Sequence, residues 1–257
     1  MKNRVYDIAM EAGQILLQNG AEISRVEETM ERICRYYGEN GADFFVLSNG
    51  IFTTGGYATQ ESYAKVRHIP VNGARLDKVV AVNQLSREIE EGKYESLDAV
   101  KEKLEEISNM PSSKNWQKIL ASGVGSGCFC VLTGGSLLDC IAAFIAGIVL
   151  YTYIIFISEK YLSKILGNIL GGAIIMMVCI LCLKVNLGNH LENIISGAIM
   201  PMIPGVAFTN GIRDMADGDY ISGAVRMLDA ILRFVCIAIG VGVAFSVYHG
   251  LMGGVML

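Results

Sequence analysis

Apolar residues recur at helical spacing over residues 3–19, where Val5, Ile8, Ala9, Ala12, Leu16 and Leu17 share one face. Gly20 predicts the end of that helix. Ser24-Arg25-Val26-Glu27 has the capping-box form and predicts a second helix to about Tyr37, closed by Gly38. The segments Asp43–Leu47 and Ile51–Thr54 flank Asn49-Gly50, a dipeptide suited to the type I′ turn of a β-hairpin. A third strand is expected over Ser62–Ile69, stopped by Pro70. Two more helices, about 75–91 and 96–109, follow, the second capped by Ser96. Together these elements predict a small α+β domain in which helix pairs pack on a short sheet.

Beyond residue 114 the amphipathic pattern gives way to long apolar runs. Five can be read, at about 119–135, 138–157, 165–183, 192–210 and 228–247. Each is near the ~20 residues that a ~30 Å hydrocarbon core requires of a helix. The expected fold is an α-helical membrane bundle of about five transmembrane helices (residues 114–257) behind an N-terminal soluble, cytoplasmic α+β domain (residues 1–113).

Charge sharpens this partition. The 257 residues are 52% hydrophobic, with a mean hydropathy of +0.43. Residues 1–115 hold 14 Lys/Arg and 18 Asp/Glu, against seven and seven in the remaining 142. One half is built for water and the other for lipid. The net charge of −4 and the lack of a basic run exclude a nucleic-acid partner. The first residues form no apolar h-region, so no cleavable signal peptide is expected. Basic residues next to the spans set the direction. Lys114, Lys118, Lys160, Lys164, Arg213 and Arg226 lie on one side and Lys184 on the other. By the positive-inside rule the N-terminus is expected inside and the C-terminus outside.

Cys128, Cys130, Cys140, Cys179, Cys182 and Cys236 sit in apolar runs and Cys34 in the polar half, all read as packing residues. Cys179 and Cys182 make a CxxC with no second ligand pair at zinc spacing, so no metal is expected. His68, on a strand, reads as a surface or packing residue. Gly123/Gly127, Ala143/Gly147 and Gly167/Gly171 have the four-residue spacing that lets membrane helices approach closely. No nucleophile–base pair, cofactor motif or phosphate loop is present, which disfavours an enzyme or an ATP-driven pump.

The candidate chemistry lies in the fourth span and after it. Pro201 and Pro204 remove two amide donors and Gly205 adds freedom, predicting a kink or a broken helix of the kind transporters use to present backbone dipoles to a substrate. Thr209, Asn210, Arg213 and Asp214 follow. Arg213 beside carboxylates could bind a substrate carboxylate, gate a pathway through an internal pair, or belong to a cytosolic loop. Asp229 and Arg233 stand i,i+4 on the fifth span, the favourable order for a pair. Asp139, at the outer end of the second span, is a candidate for a proton or substrate step, or a helix cap.

The run Gly20-Ala21-Glu22-Ile23-Ser24-Arg25-Val26-Glu27-Glu28-Thr29-Met30 resembles the signature of the threonine/serine exporter family. The resemblance continues through Ser48-Asn49-Gly50-Ile51-Phe52 and Pro204-Gly205 to Asn210, Arg213, Asp214 and Ser222-Gly223. It implies proton-driven secondary export of small amino acids such as threonine and serine, or of C4-dicarboxylates such as succinate, across the bacterial cytoplasmic membrane. It also implies the larger component of a split, two-chain exporter. Glu22, Arg25, Glu27 and Glu28 are then an interface or gating turn rather than a solvated face. An odd number of spans cannot hold two equal repeats, so a second, shorter membrane subunit or another copy of the chain is expected. The competing expectation is a membrane-anchored sensor or scaffold whose soluble domain binds a ligand or partner.

Overall fold

A computed structural model describes residues 2–55, 63–70 and 73–251. The chain divides into two compact units. The first joins Met1–Pro111 to Gly205–Asp229, and the second joins Ser112–Pro204 to Ala230–Leu257. The stretch Gly205–Asp229, which hydropathy groups with the apolar runs, clusters with the N-terminal elements.

In the first unit, α1 (Lys2–Gln18) and α2 (Ile23–Tyr36) pack on each other and on a three-stranded antiparallel sheet, with α3 (Leu76–Glu90) and α4 (Leu97–Ser108) beside them. The sheet runs β1 (Ala42–Leu47), β2 (Gly50–Gly55), β3 (Tyr63–His68), in that spatial order. Ser62, expected in the third strand, lies outside the described residues. All six residues of the predicted α1 face are buried, and Met10, Ile23, Met30, Ile33, Ile51 and Leu104 join them in one core. Each buried Val, Leu, Ile or Met side chain among them contributes about 1.5–3 kcal/mol by leaving water. Helices α1 and α2 end where Gly20 and Gly38 take positive φ, as their positions predict. Ser96 caps α4 by accepting from the Asp98 amide at 3.3 Å.

Two local expectations are corrected. The hairpin pairs Leu47 with Gly50, so its turn residues are Ser48 and Asn49, one position earlier than expected. Neither Asn49 nor Gly50 has the positive φ of a type I′ turn. Gly50 instead lies within β2, where a Cβ would come 3.3 Å from the Arg67 carbonyl, so its glycine serves close approach. Ser24 does not open α2. The helix starts at Ile23 behind Glu22, whose side chain makes no capping bond.

The remaining part of this unit is α9 (Gly205–Ala216) and the first turns of α10 (Tyr220–Leu251). A short Asp217-Gly218-Asp219 turn joins them, with Gly218 at φ +101°. The two helices cross backbone to backbone. A Cβ at Gly223 would stand 2.7 Å from the Gly211 carbonyl, and one at Gly211 3.1 Å from the Gly223 carbonyl.

The second unit contains α5 (Asn115–Leu132), α6 (Leu137–Tyr161), α7 (Lys164–Lys184), α8 (Leu191–Ile199) and the rest of α10. A π-helical turn at Ile154–Ser158 interrupts α6. Glycines set the helix spacing. A Cβ at Gly147 would strike the Ser126 side chain, and one at Gly197 would come 2.5 Å from the Ser126 carbonyl. Gly172 and Gly240 make a reciprocal crossing of α7 and α10. A Cβ at Gly172 would stand 2.5 Å from the Ile237 carbonyl, and one at Gly240 would collide with the Ile169 carbonyl. Cys130, Cys179, Cys182 and Cys236 are buried among apolar side chains as expected, whereas Cys128 is exposed on α5.

Among the described residues, three helices are long and apolar enough to cross a membrane: Leu137–Tyr161, Lys164–Lys184 and Tyr220–Leu251. The expected fourth span is broken. After Ile199 a 3-10 turn covers Met200–Met202, Ile203 is extended, and α9 starts afresh at Gly205. Pro201 and Pro204 explain the break, because neither can donate to the helical ladder. Counted as one span, the bent pair makes four. The first apolar run folds as α5, but that 18-residue helix opens on Asn115, Gln117 and Lys118 and falls short of the other spans in apolar length.

Candidate functional site

The connection between α1 and α2 is the sequence Gly20-Ala21-Glu22. The Gly20 and Ala21 carbonyls and the first amide of α2 lack helical partners, and α9 and α10 supply them. Asn210, Arg213, Asp214 and Asp217 are spaced by three and four residues, which places them on one face of α9 and the turn beyond it. Asn210 Nδ2 donates to the Gly20 carbonyl at 2.8 Å. Asp214 Oδ1 accepts the Ile23 amide at 3.0 Å, capping α2 from a distant part of the chain. The Ser24 hydroxyl donates to Asp217 Oδ2 at 3.1 Å. Arg213 Nη1 donates to Glu22 Oε1 at 2.9 Å, and Arg25 stands 3.6 Å from the other Glu22 oxygen.

Arg226, one helix later, closes the cluster. One guanidinium nitrogen stands 3.1 Å from Asp214 Oδ2 and the other donates to the Ala21 carbonyl at 2.9 Å. The Asp214 side chain is fully buried and that of Arg226 is 11% exposed. A buried carboxylate is tolerable here because it meets a guanidinium, a backbone amide and the positive end of α2 together.

Of the other residues in the signature run, Glu27 lies on α2 and accepts the Val46 amide of β1 at 3.1 Å. Burial raises its carboxyl pKa, opposed by the Val46 amide, with Asp219, Glu31 and Asp43 adding to the rise. Glu28 pairs with Arg32 at 2.6 Å in an ordinary i,i+4 surface pair. Glu22 thus belongs to the junction with α9, Glu27 ties α2 to β1, and Glu28 makes a surface pair within α2.

Pro204 is buried at the break, and Gly205 opens α9 with nothing within 4 Å of where a Cβ would stand. Thr209 is exposed, and its hydroxyl donates back to the Gly205 and Val206 carbonyls of its own helix. Asp229 and Arg233 lie one turn apart on α10, the first exposed and the second half-buried. Arg213, for which the sequence leaves a cytosolic loop open, and Arg226 are both helical.

Asp139 belongs to a separate arrangement inside the second unit. It is fully buried in the first turn of α6, where it and Ser136 form a reciprocal capping box. Oδ2 accepts the Ser136 amide at 2.8 Å and its hydroxyl at 2.7 Å, and stands 2.9 Å from His190 Nδ1. Oδ1 accepts the Asn189 and His190 amides at 2.5 and 3.0 Å, pinning the connection between α7 and α8. Of the two roles open to Asp139, the structure displays the cap. The pattern Ser136-x-x-Asp139 carries that signal in the sequence. Arg226 carried none, because a lone Arg between spans reads as a topology signal. Among the described residues no group of three His, Cys, Asp or Glu side chains is arranged to hold a metal ion.

Apolar helices long enough to span a bilayer, a helix broken at a double proline and a gripped pair of arginines define a membrane protein of transporter type. The sequence comparisons agree. The family model described as "putative threonine/serine exporter" matches residues 7–248. The chain belongs to the threonine/serine exporter family. It is 23% identical to the "Probable succinate transporter subunit YjjP" of Klebsiella aerogenes, over 96% of this chain and 94% of that one. It is 22% identical to the protein of the same description from Escherichia coli K12, over 96% of each chain. A third relative, "Uncharacterized protein C16A10.01" of Schizosaccharomyces pombe, is 21% identical over 67% of this chain and 22% of that protein. No solved structure matches the chain.

Proposed function

We propose that the chain is the larger subunit of a secondary exporter of small amino acids or C4-dicarboxylates in the bacterial cytoplasmic membrane. The proton gradient drives it, a second, shorter membrane subunit completes it, and with α5 and the bent pair each counted as a crossing, five in all, its N-terminus is inside and its C-terminus outside. Family membership supports export, and the two bacterial relatives, named as succinate transporter subunits, support a multi-subunit assembly and add dicarboxylates to the cargo. The observation that carries the reading is the grip of the α1–α2 connection on α9, the helix that leaves the double-proline break.

In this reading Pro204, Gly205 and Thr209 mark the substrate side of the break, where the helical ladder is interrupted and backbone dipoles face a small anionic or zwitterionic solute. Arg213 acts as a gate through its pair with Glu22, and Asn210, Asp214 and Arg226 hold α9 in register while the gate works. Arg25, Glu27 and Glu28 support the gating turn, and Asp229 and Arg233 lie along the pathway. Asp139 holds the opposite connection in place.

Counterflow in proteoliposomes tests the proposal. The purified chain, alone and with its second subunit, is loaded with unlabelled threonine, serine or succinate and offered the labelled solute. Flux of at least one of them with both subunits, and none with the chain alone, is expected. No flux of any of the three with both subunits overturns the transport reading, and flux by the chain alone overturns the two-subunit part.

A further inference from the structure

The three-stranded sheet of the first unit buries Phe44, Val46 and Ile51 on one face and is apolar at the centre of the other face as well. One face meets α1 and α2, and the other would ordinarily be polar. Here the charged side chains of β3 turn toward the helices. Lys65 reaches Asp7 at 2.5 Å and Arg67 reaches Gln14 at 2.5 Å, while Thr53 is buried beside them. The opposite face carries Phe45, Phe52 and Val66, which are 55%, 39% and 64% exposed. The register makes them direct neighbours, Phe45 opposite Phe52 and Phe52 opposite Val66, so they form one apolar row across all three strands. The Phe45 and Phe52 rings lie 6.0 Å apart.

The rows on either side complete a small grid. Asp43, Thr54 and Ala64 form one, and Leu47, Gly50 and His68 the other. The two polar ends, Asp43 and His68, stand at opposite corners. A second identical sheet laid face to face, with strands crossing near a right angle, has its two-fold axis through Leu47, Phe52 and Ala64. That operation sets Asp43 of each copy against His68 of the other, so an imidazole N–H donates to a carboxylate twice. It also sets the large Phe45 ring over the second copy's Gly50, and Val66 over its Thr54. Charge and size are both complementary under one symmetry operation. A bilayer would instead favour basic residues around the apolar row, and the two on β3 face away.

We propose that this face is a homodimer interface, in which two copies of the chain pack their Phe45–Phe52–Val66 rows against each other. Disulfide trapping in the purified full chain tests it, in a Cys128→Ser background that removes the exposed native thiol. Phe52→Cys, on the axis, is expected to give a covalent dimer on mild oxidation, whereas Glu105→Cys on the exposed side of α4 is not. Asp43→Arg should lower the Phe52→Cys yield roughly fivefold, and His68→Asp in the same chain should restore it. A Phe52→Cys yield no greater than that of Glu105→Cys overturns the proposal, as does a yield indifferent to both charge changes. A monomeric chain whose residue 52, spin-labelled, is shielded by lipid vesicles also overturns it.

Discussion

The carboxylate of Asp214 caps a helix that begins 191 positions earlier in the chain, accepting the Ile23 amide at 3.0 Å. Local capping uses the residue just before the helix, but Glu22 there turns its side chain to Arg213 instead. The cap of α2 is therefore a tertiary contact, and α2 cannot be fully satisfied unless α9 is docked.

Removing Arg226 should expose the cost of that arrangement. Arg226→Met leaves Asp214 buried with its amide but without its cation, and should destabilise the first unit by about 3–5 kcal/mol. Asp214→Asn keeps an acceptor for Ile23 and should cost less, about 1–2 kcal/mol. Thermal melting of the purified chain in detergent checks the order, and an Arg226→Met variant that melts like the wild type would refute it.

Asp139→Ala should act mainly on stability. It removes the acceptor of three backbone amides and the Ser136 hydroxyl, and an orphaned buried donor costs about 1–3 kcal/mol. Ser136→Ala, which removes half of the reciprocal cap, should cost about 1 kcal/mol. A variant at Asp139 that loses flux with an unchanged melting temperature would instead make the carboxylate part of the transport step.

The Glu27 carboxyl predicts a pH effect of definite sign. Burial raises its folded pKa above the ordinary value of 4.5. The folded protein then holds a proton that the unfolded chain has already released, so this group's contribution falls as pH rises from the unfolded toward the folded pKa. Below the unfolded value both states are protonated and nothing is lost. Glu27→Gln keeps an acceptor for the Val46 amide and stays neutral. It should flatten stability against pH over the weakly acidic range and match or exceed the wild type at neutral pH, as read from melting curves.

Gly240 and Gly242 separate packing from composition. Gly240→Ala drives a Cβ into the Ile169 carbonyl, and overpacking of this kind costs about 1–3 kcal/mol. Gly242→Ala, two residues on along the same helix, meets nothing within 4 Å and should be neutral or slightly stabilising. Detergent-resistant melting of the two variants distinguishes them.

Much of the fold was legible because the dominant forces leave periodic traces. The buried stripe of α1, the stops at Gly20 and Gly38, the Ser96 cap and the break at Pro204 each follow from a few adjacent residues. The junction was half legible. Asn210, Arg213 and Asp214 stood out as polar residues beside an apolar run, but Asn210 and Asp214 meet backbone groups of Gly20 and Ile23, which have no sequence signature. Arg226 and the membership of residues 205–229 in the first unit were hidden for the same reason. Hydropathy places a helix by its average character, whereas a single buried ion pair decides what it packs on. The register of the hairpin was missed by one position because the demand for glycine at residue 50 comes from Arg67 across the sheet.

The most direct test of the gate is charge reversal at Glu22 and Arg213 with flux as the readout. This pair is more than half exposed on the Arg213 side, so each single reversal should change stability by no more than about 1 kcal/mol. In proteoliposomes containing both subunits, Glu22→Arg alone and Arg213→Glu alone should each lose most of the counterflow. The double variant, which rebuilds the pair in the opposite sense, should recover it. Normal flux in both single variants, or a double variant no better than the worse of the two, would contradict a gate built on this contact.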